Sequence, residues 1–584
     1  MNGHAVPAPP FVADPHPKRV LIIGGGPAGL GVLRALLHQH PGEAPPPFEA
    51  VSLVERREDI GGVWNIDSKT VALERSYPNG HASGHWPVYA NPQEAQQGRP
   101  HWPSPSYPLL RGNVLPRFLS YSTAGRFPAP SENEPFPSLD ETQAYLVEAA
   151  KPVRAYIRCN IECVGVWELP DDKPDQNRWA VRLHDWNDGG KAVTEYWDAV
   201  IPATSFTDAP AYPAIPGIKE VHDIGKLQHC KWYRGVEGTY TADERILVVG
   251  NGNSANDVAA HLASHRVAGK HEPIYRAARH AKLIIFSALE DERIKDVPTV
   301  KAFHVRERAG KAVLDVELID SSIIENVDRV VLGSGYQYGK YHWIHLLSRG
   351  ATSADEAHLP GHHDGADWQA PAESDLWKPV SLAPRALGQG PEPDDPGRLV
   401  GLWEQMVHAR AATLAFANLP ITYTPFILAD VQGHALRSLW DASPASLPPT
   451  LEARLQSERD RLAEIEARKK ALPELEAAGE KAWRDKLEKN RAVDRGELPE
   501  SERIPAFETV APDHVTLLHF HILGDDGLPY ANRLRKVALA GHPEWEQRLL
   551  DWNTIEEERK GMYAVKVESL KRARERRRIA GGVE

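Results

Sequence analysis

The chain has 584 residues, with 68 Lys and Arg against 80 Asp and Glu, a formal net charge of −12. That excess of negative charge argues against nucleic acid as the main partner. No stretch reaches the roughly 18 uninterrupted apolar residues of a membrane-spanning helix, and residues 1–16 lack a charged-then-apolar signal pattern. No membrane span and a cytoplasmic location are therefore expected.

In chain order, residues 1–17 are Pro- and Ala-rich and are expected to be disordered. The run Val20-Leu21-Ile22-Ile23 then breaks into Gly24-Gly25-Gly26-Pro27-Ala28-Gly29 and reopens as a helix over Leu30–His38. In a nucleotide-binding βαβ unit, Gly24 allows the tight turn, Gly26 lets the backbone approach a pyrophosphate, and Gly29 lets helix and strand pack closely. The free N–H groups and the helix dipole face the phosphates. A second apolar run, Val51-Ser52-Leu53-Val54, ends in Glu55, whose carboxylate suits both hydroxyls of an adenosine ribose. Next comes Gly61-Gly62-Val63-Trp64, a tight segment able to lie against a flat ring, with Trp64 equally readable as a core aromatic.

From about 66 to 140 the chain is rich in Pro, Tyr, Trp and His, which fits long loops better than a separate core. Segments such as Trp179–Leu183 alternate like a β-meander. Three cysteines, Cys159, Cys163 and Cys230, are too few for a disulfide framework and lack C-x2-C spacing, so reduced thiols are expected. The strand Ala199–Ser205 runs into Pro210, Pro213, Pro216 and Gly217, a stiff linker marking a domain crossing.

A second fingerprint follows, Ile246-Leu247-Val248-Val249-Gly250-Asn251-Gly252-Asn253-Ser254-Ala255, continuing as a helix over Asn256–Leu262. Ala255 in place of the third glycine should loosen helix–strand packing slightly. The strand Pro273-Ile274-Tyr275 ends in Arg276, with Arg279 nearby, where the first unit has Glu55. A guanidinium grips a 2′-phosphate that a carboxylate would repel. The first site therefore reads as FAD or NAD and the second as NADP.

The strand Asp328–Leu332 meets Gly333-Ser334-Gly335-Tyr336, a second small-residue crossing that should lead back to the first domain. Residues 350–398 form a Pro/Gly/Asp-rich insertion whose His358, His362 and His363 lack a fourth zinc ligand, so no metal site is expected. Residues 399–440 regain apolar patterning and carry Asn418 and Gln432. From 450 to 492 the sequence is charged and helical, with an apolar stripe at Leu451, Leu455, Leu462, Ile465 and Leu472 that Pro473 should end. That helix either lies over the core or pairs with a second subunit. A Trp-bearing helical segment, about 526–578, ends in the basic run 571–578, read as a solvated helix end.

Six motifs in order resemble the flavin-containing monooxygenases over roughly 18–440: Gly24–Gly29, Gly61–Trp64, Ser104–Asn113, the signature ending His229-Cys230-Lys231-Trp232-Tyr233, Gly250–Ala255 and Gly333–Tyr336. The resemblance implies an α/β fold of two Rossmann-like dinucleotide-binding domains, the NADP domain inserted in the FAD domain, with a C-terminal helical extension. The expected boundaries are 18–205 and 336–445 for the FAD domain, 206–335 for the NADP domain and 446–584 for the extension.

The implied activity is NADPH- and O2-dependent transfer of one oxygen atom, by way of a flavin C4a-(hydro)peroxide, to an amine nitrogen or sulfur of a small molecule. FAD contacts are expected from Gly24, Gly26, Pro27, Ala28, Gly29, Glu55, Gly62, Val63, Trp64, Asn113 and Gln432. NADPH contacts are expected from Thr204, Tyr233, Gly250, Gly252, Asn253, Ser254, Arg276, Ser334 and Gly335. Asn113 is the key catalytic side chain carried over, and His229 reads as a structural hydrogen-bonder.

Departures are Asp223 for a usual Phe, Ser205 and Asn418 for usual glycines, and Ser334 for Thr. Trp232 stands one place before the position at which Baeyer–Villiger relatives carry Trp, favouring N- or S-oxygenation. The alternatives are a Baeyer–Villiger or N-hydroxylating monooxygenase, and a degenerate nucleotide-binding flavoprotein. A disulfide reductase of the same build would need a C-x-x-C that is missing.

Overall fold

The computed structural model describes residues 16–39, 43, 45–66, 102–130, 134–169, 178–204, 206–208, 210–278, 291–336, 341–347, 377–379, 382–383, 398–441, 445–504 and 518–579. Most of the N-terminal 1–17 stretch, most of the 350–398 insertion with its three histidines, Ser205 and Arg279 lie outside the described residues.

The first unit grows from β1 (Arg19–Ile23), whose last four residues are buried because both faces of the strand are covered. It pairs in parallel with β2 (Ala50–Glu55) and, on its other side, with β7 (Ala199–Pro202). β3 (Ile157–Cys159) adds to β2, giving the order β3-β2-β1-β7, that of a nucleotide-binding half. Helix α1 (Pro27–Leu37) starts earlier than the sequence reading because Pro27, with its preset φ, takes the first helical position. A capping box at Ser138 and Glu141 starts α2 (Leu139–Ala150). The meander β4 (Ile161–Glu168), β5 (Trp179–Asp185) and β6 (Lys191–Trp197) is antiparallel throughout.

The second unit has the same plan. β9 (Ile246–Val249) lies between β10 (Ile274–Ala277) and β15 (Arg329–Leu332). β8 (Leu227–His229) and β11 (Ile294–Val297) close the edges of this five-stranded parallel sheet. Helix α3 (Asn253–Ala263) follows β9. An antiparallel sheet that the sequence reading did not anticipate, β12 (Val300–Arg308), β13 (Lys311–Leu318) and β14 (Ile323–Val327), packs Phe303, Leu314 and Val316 against Leu247 and Val330. The chain then returns to the first unit, where β16 (Ile344–Leu347) joins β4 in parallel.

Helix α4 (Pro425–Trp440) is buried over nearly its whole length and crosses α1 at Gly433, where a Cβ would lie 2.7 Å from Ala35 Cβ. Glycine there sets the close approach of the two helices. Helix α5 (Gln456–Asp494) runs straight through Pro473, correcting the expectation that proline ends it. The loss is confined to one i→i−4 bond, to the Lys469 carbonyl, and the flanking turns carry the helix on.

The C-terminal segment is not an appendage. Helix α6 (Gly527–Gly541) and helix α7 (Glu556–Ile579) contribute Tyr530, Ala531, Leu534 and Met562 to the same apolar core as β1, α1 and α4, as do Trp552 and Ile555 between them. Each large aliphatic side chain among these, Leu534, Ile555 and Met562, contributes about 1.5–3 kcal/mol on burial. No described helix is long and apolar enough to cross a membrane.

Candidate active site

The first glycine turn is over-determined by its neighbours. Gly24 has φ +115°, donates its N–H to Val54 O at 2.8 Å, and would carry a Cβ 2.7 Å from Ala203 O. A side chain on Gly29 would overlap the Gly24 carbonyl. Ala28 is buried toward the core, and the Pro27 carbonyl accepts from the Tyr121 hydroxyl at 2.8 Å. The first-turn N–H groups of α1 therefore face outward from a rigid loop.

Glu55 holds this loop. Its Oε2 accepts the Gly25 N–H at 2.7 Å and its Oε1 the Arg57 N–H at 2.9 Å, and it is buried. Each oxygen keeps one further lone pair for a ribose hydroxyl. Gly62 faces Gly26 so closely that a Cβ on it would lie 2.8 Å from Gly26 Cα. The Val63 carbonyl accepts from Ser104 Oγ at 2.5 Å and Ser106 Oγ at 2.6 Å, docking the 104–113 loop on this segment. Trp64 is half-buried and packs against the first core, which favours the core-aromatic reading.

The second turn repeats the geometry. Gly250 donates to Ala277 O at 2.8 Å and Gly252 caps α3, with Asn253 and Ser254 in its first turn. Ala255 is fully buried, yet helix and strand remain in contact: the glycine that makes room is Gly333, where a Cβ would lie 2.5 Å from Ala255 Cβ.

The placement of Arg276 is corrected. Val249 pairs with Ala277 as Ile23 pairs with Val54, so the residue at Glu55's register is Ala278, and Arg276 corresponds to Leu53. Arg276 points into the unit, with Nε and Nη2 donating to Asp296 Oδ1 and Oδ2 at 2.7 and 2.9 Å, and Nη1 to Asn256 Oδ1 at 2.9 Å. That planar fork is spent on a carboxylate of β11.

Between the units the two crossings run side by side: Ser334 Oγ donates to Ala211 O at 2.6 Å and Ala211 N–H to Gly335 O at 2.9 Å. Thr204 is exposed, one residue after the Ala203 carbonyl that covers Gly24. His229 Nδ1 accepts the Lys231 N–H at 3.1 Å, so the proton sits on Nε2, which donates to Gly335 O at 3.0 Å. Burial depresses its pKa to about 3. It is a neutral latch between the signature and the crossing, not a base.

Lys231, fully buried and with its pKa lowered by burial to about 8, reaches Asp208, which also pairs with Arg56 at 3.1 Å. The sequence reading missed this ion cluster beside Glu55. Tyr233 is fully buried, its ring 5.7 Å from that of Tyr107, and its hydroxyl has no partner among the described residues.

Three amides complete the site. Asn418 takes a left-handed backbone (φ +57°) that Asn tolerates, at the position where the resemblance leads one to expect Gly. Its N–H donates to Gln432 Oε1 at 2.7 Å, and its own buried Oδ1 has no partner among the described residues. Gln432 is fully buried, with Nε2 donating to Tyr530 Oη at 3.3 Å. It therefore supports Asn418 from behind and does not itself line the site, which corrects its assignment as a direct contact. Asn113 is partly exposed, its Oδ1 accepting from Lys566 Nζ at 2.6 Å. Beside Lys566, Asp257 accepts from the Tyr107 hydroxyl at 2.7 Å. Among the described residues no group of three or more His, Cys, Asp or Glu is placed to hold a metal.

Two parallel nucleotide-type sheets, each with a glycine turn and linked by paired crossings, are thus on hand. Residues 117–272 match the family model described as flavin-binding monooxygenase-like. The thiol-specific monooxygenase of Saccharomyces cerevisiae is 24% identical over 71% of this chain and 75% of its own length. By both comparisons the chain is similar to the flavin-containing monooxygenases.

A second relative, flavin-containing monooxygenase FMO GS-OX1 of Arabidopsis thaliana, is 28% identical over 42% of this chain, which spans 47% of that relative's length. In fold, Tmm from Pelagibacter superposes with a TM-score of 0.57 at 15% identity, over 94% of this chain and 91% of its own. The S-allyl-L-cysteine S-oxygenase of Allium sativum gives 0.55 at 19% identity, over 95% and 97%.

Proposed function

We propose that this chain is an NADPH- and O2-dependent monooxygenase holding FAD in the first unit, and that it adds one oxygen atom to a soft nucleophile, with sulfur ahead of amine nitrogen. The names of the yeast and garlic proteins support sulfur. The overall balance is substrate, NADPH, H+ and O2 to oxide, NADP+ and water.

The residues present fit two dinucleotides. The first would be held by the α1 N-terminus and the Gly26–Gly62 segment, where a Cβ on Gly62 would meet Gly26 Cα at 2.8 Å, with the remaining lone pairs of Glu55 for its ribose hydroxyls and the unpartnered Asn418 Oδ1 as a further acceptor. The second would lie on Gly250–Ser254 and the crossing at Thr204, Ser334 and Gly335, with the 2′-phosphate contact moved from Arg276 to the residues after β10, where the sequence has Arg279. When bound, the nicotinamide supplies a hydride and the flavin the redox centre that activates O2.

The chain's own part is to bind, orient and exclude water. The Ser104–Asn113 loop is pinned on the Val63 carbonyl, its Tyr107 hydroxyl donates to Asp257 of α3, and its Asn113 Oδ1 accepts from Lys566. That placement is the observation on which the reading rests. An amide there offers a preorganised N–H donor that needs no reorganisation during reaction.

The test is Asn113→Ala. NADPH oxidation is expected to continue while oxygenated product falls at least tenfold and H2O2 rises to account for the NADPH consumed. Unchanged coupling would refute the role. Thioether, thiol, amine and ketone probes followed by mass spectrometry identify the acceptor, and a ketone-only result would overturn the substrate class.

A further inference from the structure

Both site amides are oriented from the C-terminal segment. Gln432 has its oxygen on the Asn418 N–H and its nitrogen on Tyr530 of α6, whose hydroxyl donates onward to Glu404 O at 2.8 Å. Asn113 meets Lys566 of α7. An ammonium has three donors and no acceptor, so it can face only the oxygen of an amide. With Lys566 on Oδ1, the Nδ2 donor end of Asn113 is turned away from α7.

The helix is anchored on both sides of this contact. Met562, one turn before Lys566 on the same face, is buried in the first core and accepts the Leu115 N–H at 3.5 Å. Farther on, Arg576 pairs with Glu134 at 2.5 Å, which also reaches Arg111 at 3.4 Å, and Arg574 lies 3.8 Å from Asp291 of the second unit. These exposed pairs are individually weak, so the apolar anchors carry the helix and the pairs fix its register. Asp257 on α3 acts on the ammonium: burial lowers the Lys566 pKa, and Asp257 opposes that shift.

We infer that Lys566 is a positioning residue that sets the Asn113 amide with its N–H2 group toward the dinucleotides. The C-terminal helix thereby belongs to the active site. This rests on the reading of Asn113 given above.

Four variants of the full-length holoenzyme test it. Lys566→Arg keeps a donor-only cation and is expected to stay within about twofold of wild type in H2O2 released per NADPH. Lys566→Met removes the donor without leaving a hole, frees the amide to rotate, and is expected to raise that ratio severalfold. Lys566→Glu presents an acceptor, draws Nδ2 outward, and is expected to match Asn113→Ala. The rate of flavin reduction by NADPH stays within about twofold throughout.

In flavin-free protein, hydrogen exchange over residues 110–116 is expected to rise in the Met and Glu variants but not in the Arg variant, a readout independent of turnover. Should the Glu variant fail to fold, the Arg and Met pair still decides. If Lys566→Met remains coupled while Asn113→Ala is uncoupled, the positioning role is overturned alone. If Asn113→Ala remains coupled, both readings fall.

Discussion

Glu55 offers a way to weigh the first turn quantitatively. Its two oxygens accept separate backbone N–H groups, Gly25 at 2.7 Å and Arg57 at 2.9 Å, in a buried setting. Glu55→Gln keeps the shape but leaves one oxygen for two donors, and sets its NH2 against whichever N–H the oxygen does not take. One charge-assisted bond is lost and one backbone donor is stranded, together about 1.5–3 kcal/mol. The penalty falls on the turn that must hold its shape for a pyrophosphate, so flavin affinity should drop about ten- to a hundredfold at 1.4 kcal/mol per decade.

Titration of the flavin-free variant by flavin fluorescence measures this, with hydrogen exchange at Gly25 reporting the turn directly. Glu55→Asp, one methylene short of spanning both donors, should fall between. A flavin dissociation constant within twofold of wild type, with Gly25 still protected, would show that the turn holds its shape without the carboxylate and would refute the argument.

Two further predictions concern nucleotide choice and acid stability. Since Arg276 is bound to Asp296 and Asn256 inside the second unit, Arg276→Ala should move the KM for NADPH and NADH together, by less than about threefold, whereas Arg279→Ala should raise KM for NADPH alone at least tenfold. Steady-state kinetics with both cofactors decides, and selectivity lost only at Arg276 would restore the original assignment. His229 and His521, with pKa values near 3, and His408 and His434, near 4, are all held neutral by burial. The unfolded chain takes up these protons first, near pH 6.5, so their stability contribution is intact above that pH and is lost on acidification toward 4, by up to about 1.4 kcal/mol per histidine per pH unit. Urea midpoints should fall steeply below about pH 6; a flat profile from 7 to 4.5 would contradict the neutral assignments.

What the sequence made legible follows from steric necessity. Gly24 and Gly29 are readable because only glycine fits each place, and β1 and β2 because a doubly covered strand must be aliphatic on both faces. Register was not legible. The strand taken to end at Arg276 runs to Ala277, and only its pairing with β9 shows that Ala278 stands opposite the turn. Lys566 lies 453 residues from Asn113, and Tyr530 lies 98 from Gln432. A signal was nonetheless present: Lys566 lies one turn after Met562 on the face of α7 that carries a core anchor, and a cation on an apolar stripe calls for a partner. The alternation of β12 and β13 was likewise readable, while Pro473 misled because a helix interior can absorb one missing donor.

The two turns solve one packing problem in different ways. In the first unit the Gly24 carbonyl lies over the third position of the loop, so Gly29 must lack a side chain. In the second unit the third position carries the methyl of Ala255, and the space comes from Gly333 on the crossing after β15. The requirement for a bare Cα has moved from the helix to the neighbouring strand end. The methyl is therefore a substitution compensated locally, with no loosening of α3 on its sheet and no bearing on a phosphate near the far end of β10. On the proposed function, choice between the two nicotinamide dinucleotides is expected at the end of β10, one position beyond the Val249–Ala277 pair, and not at Arg276.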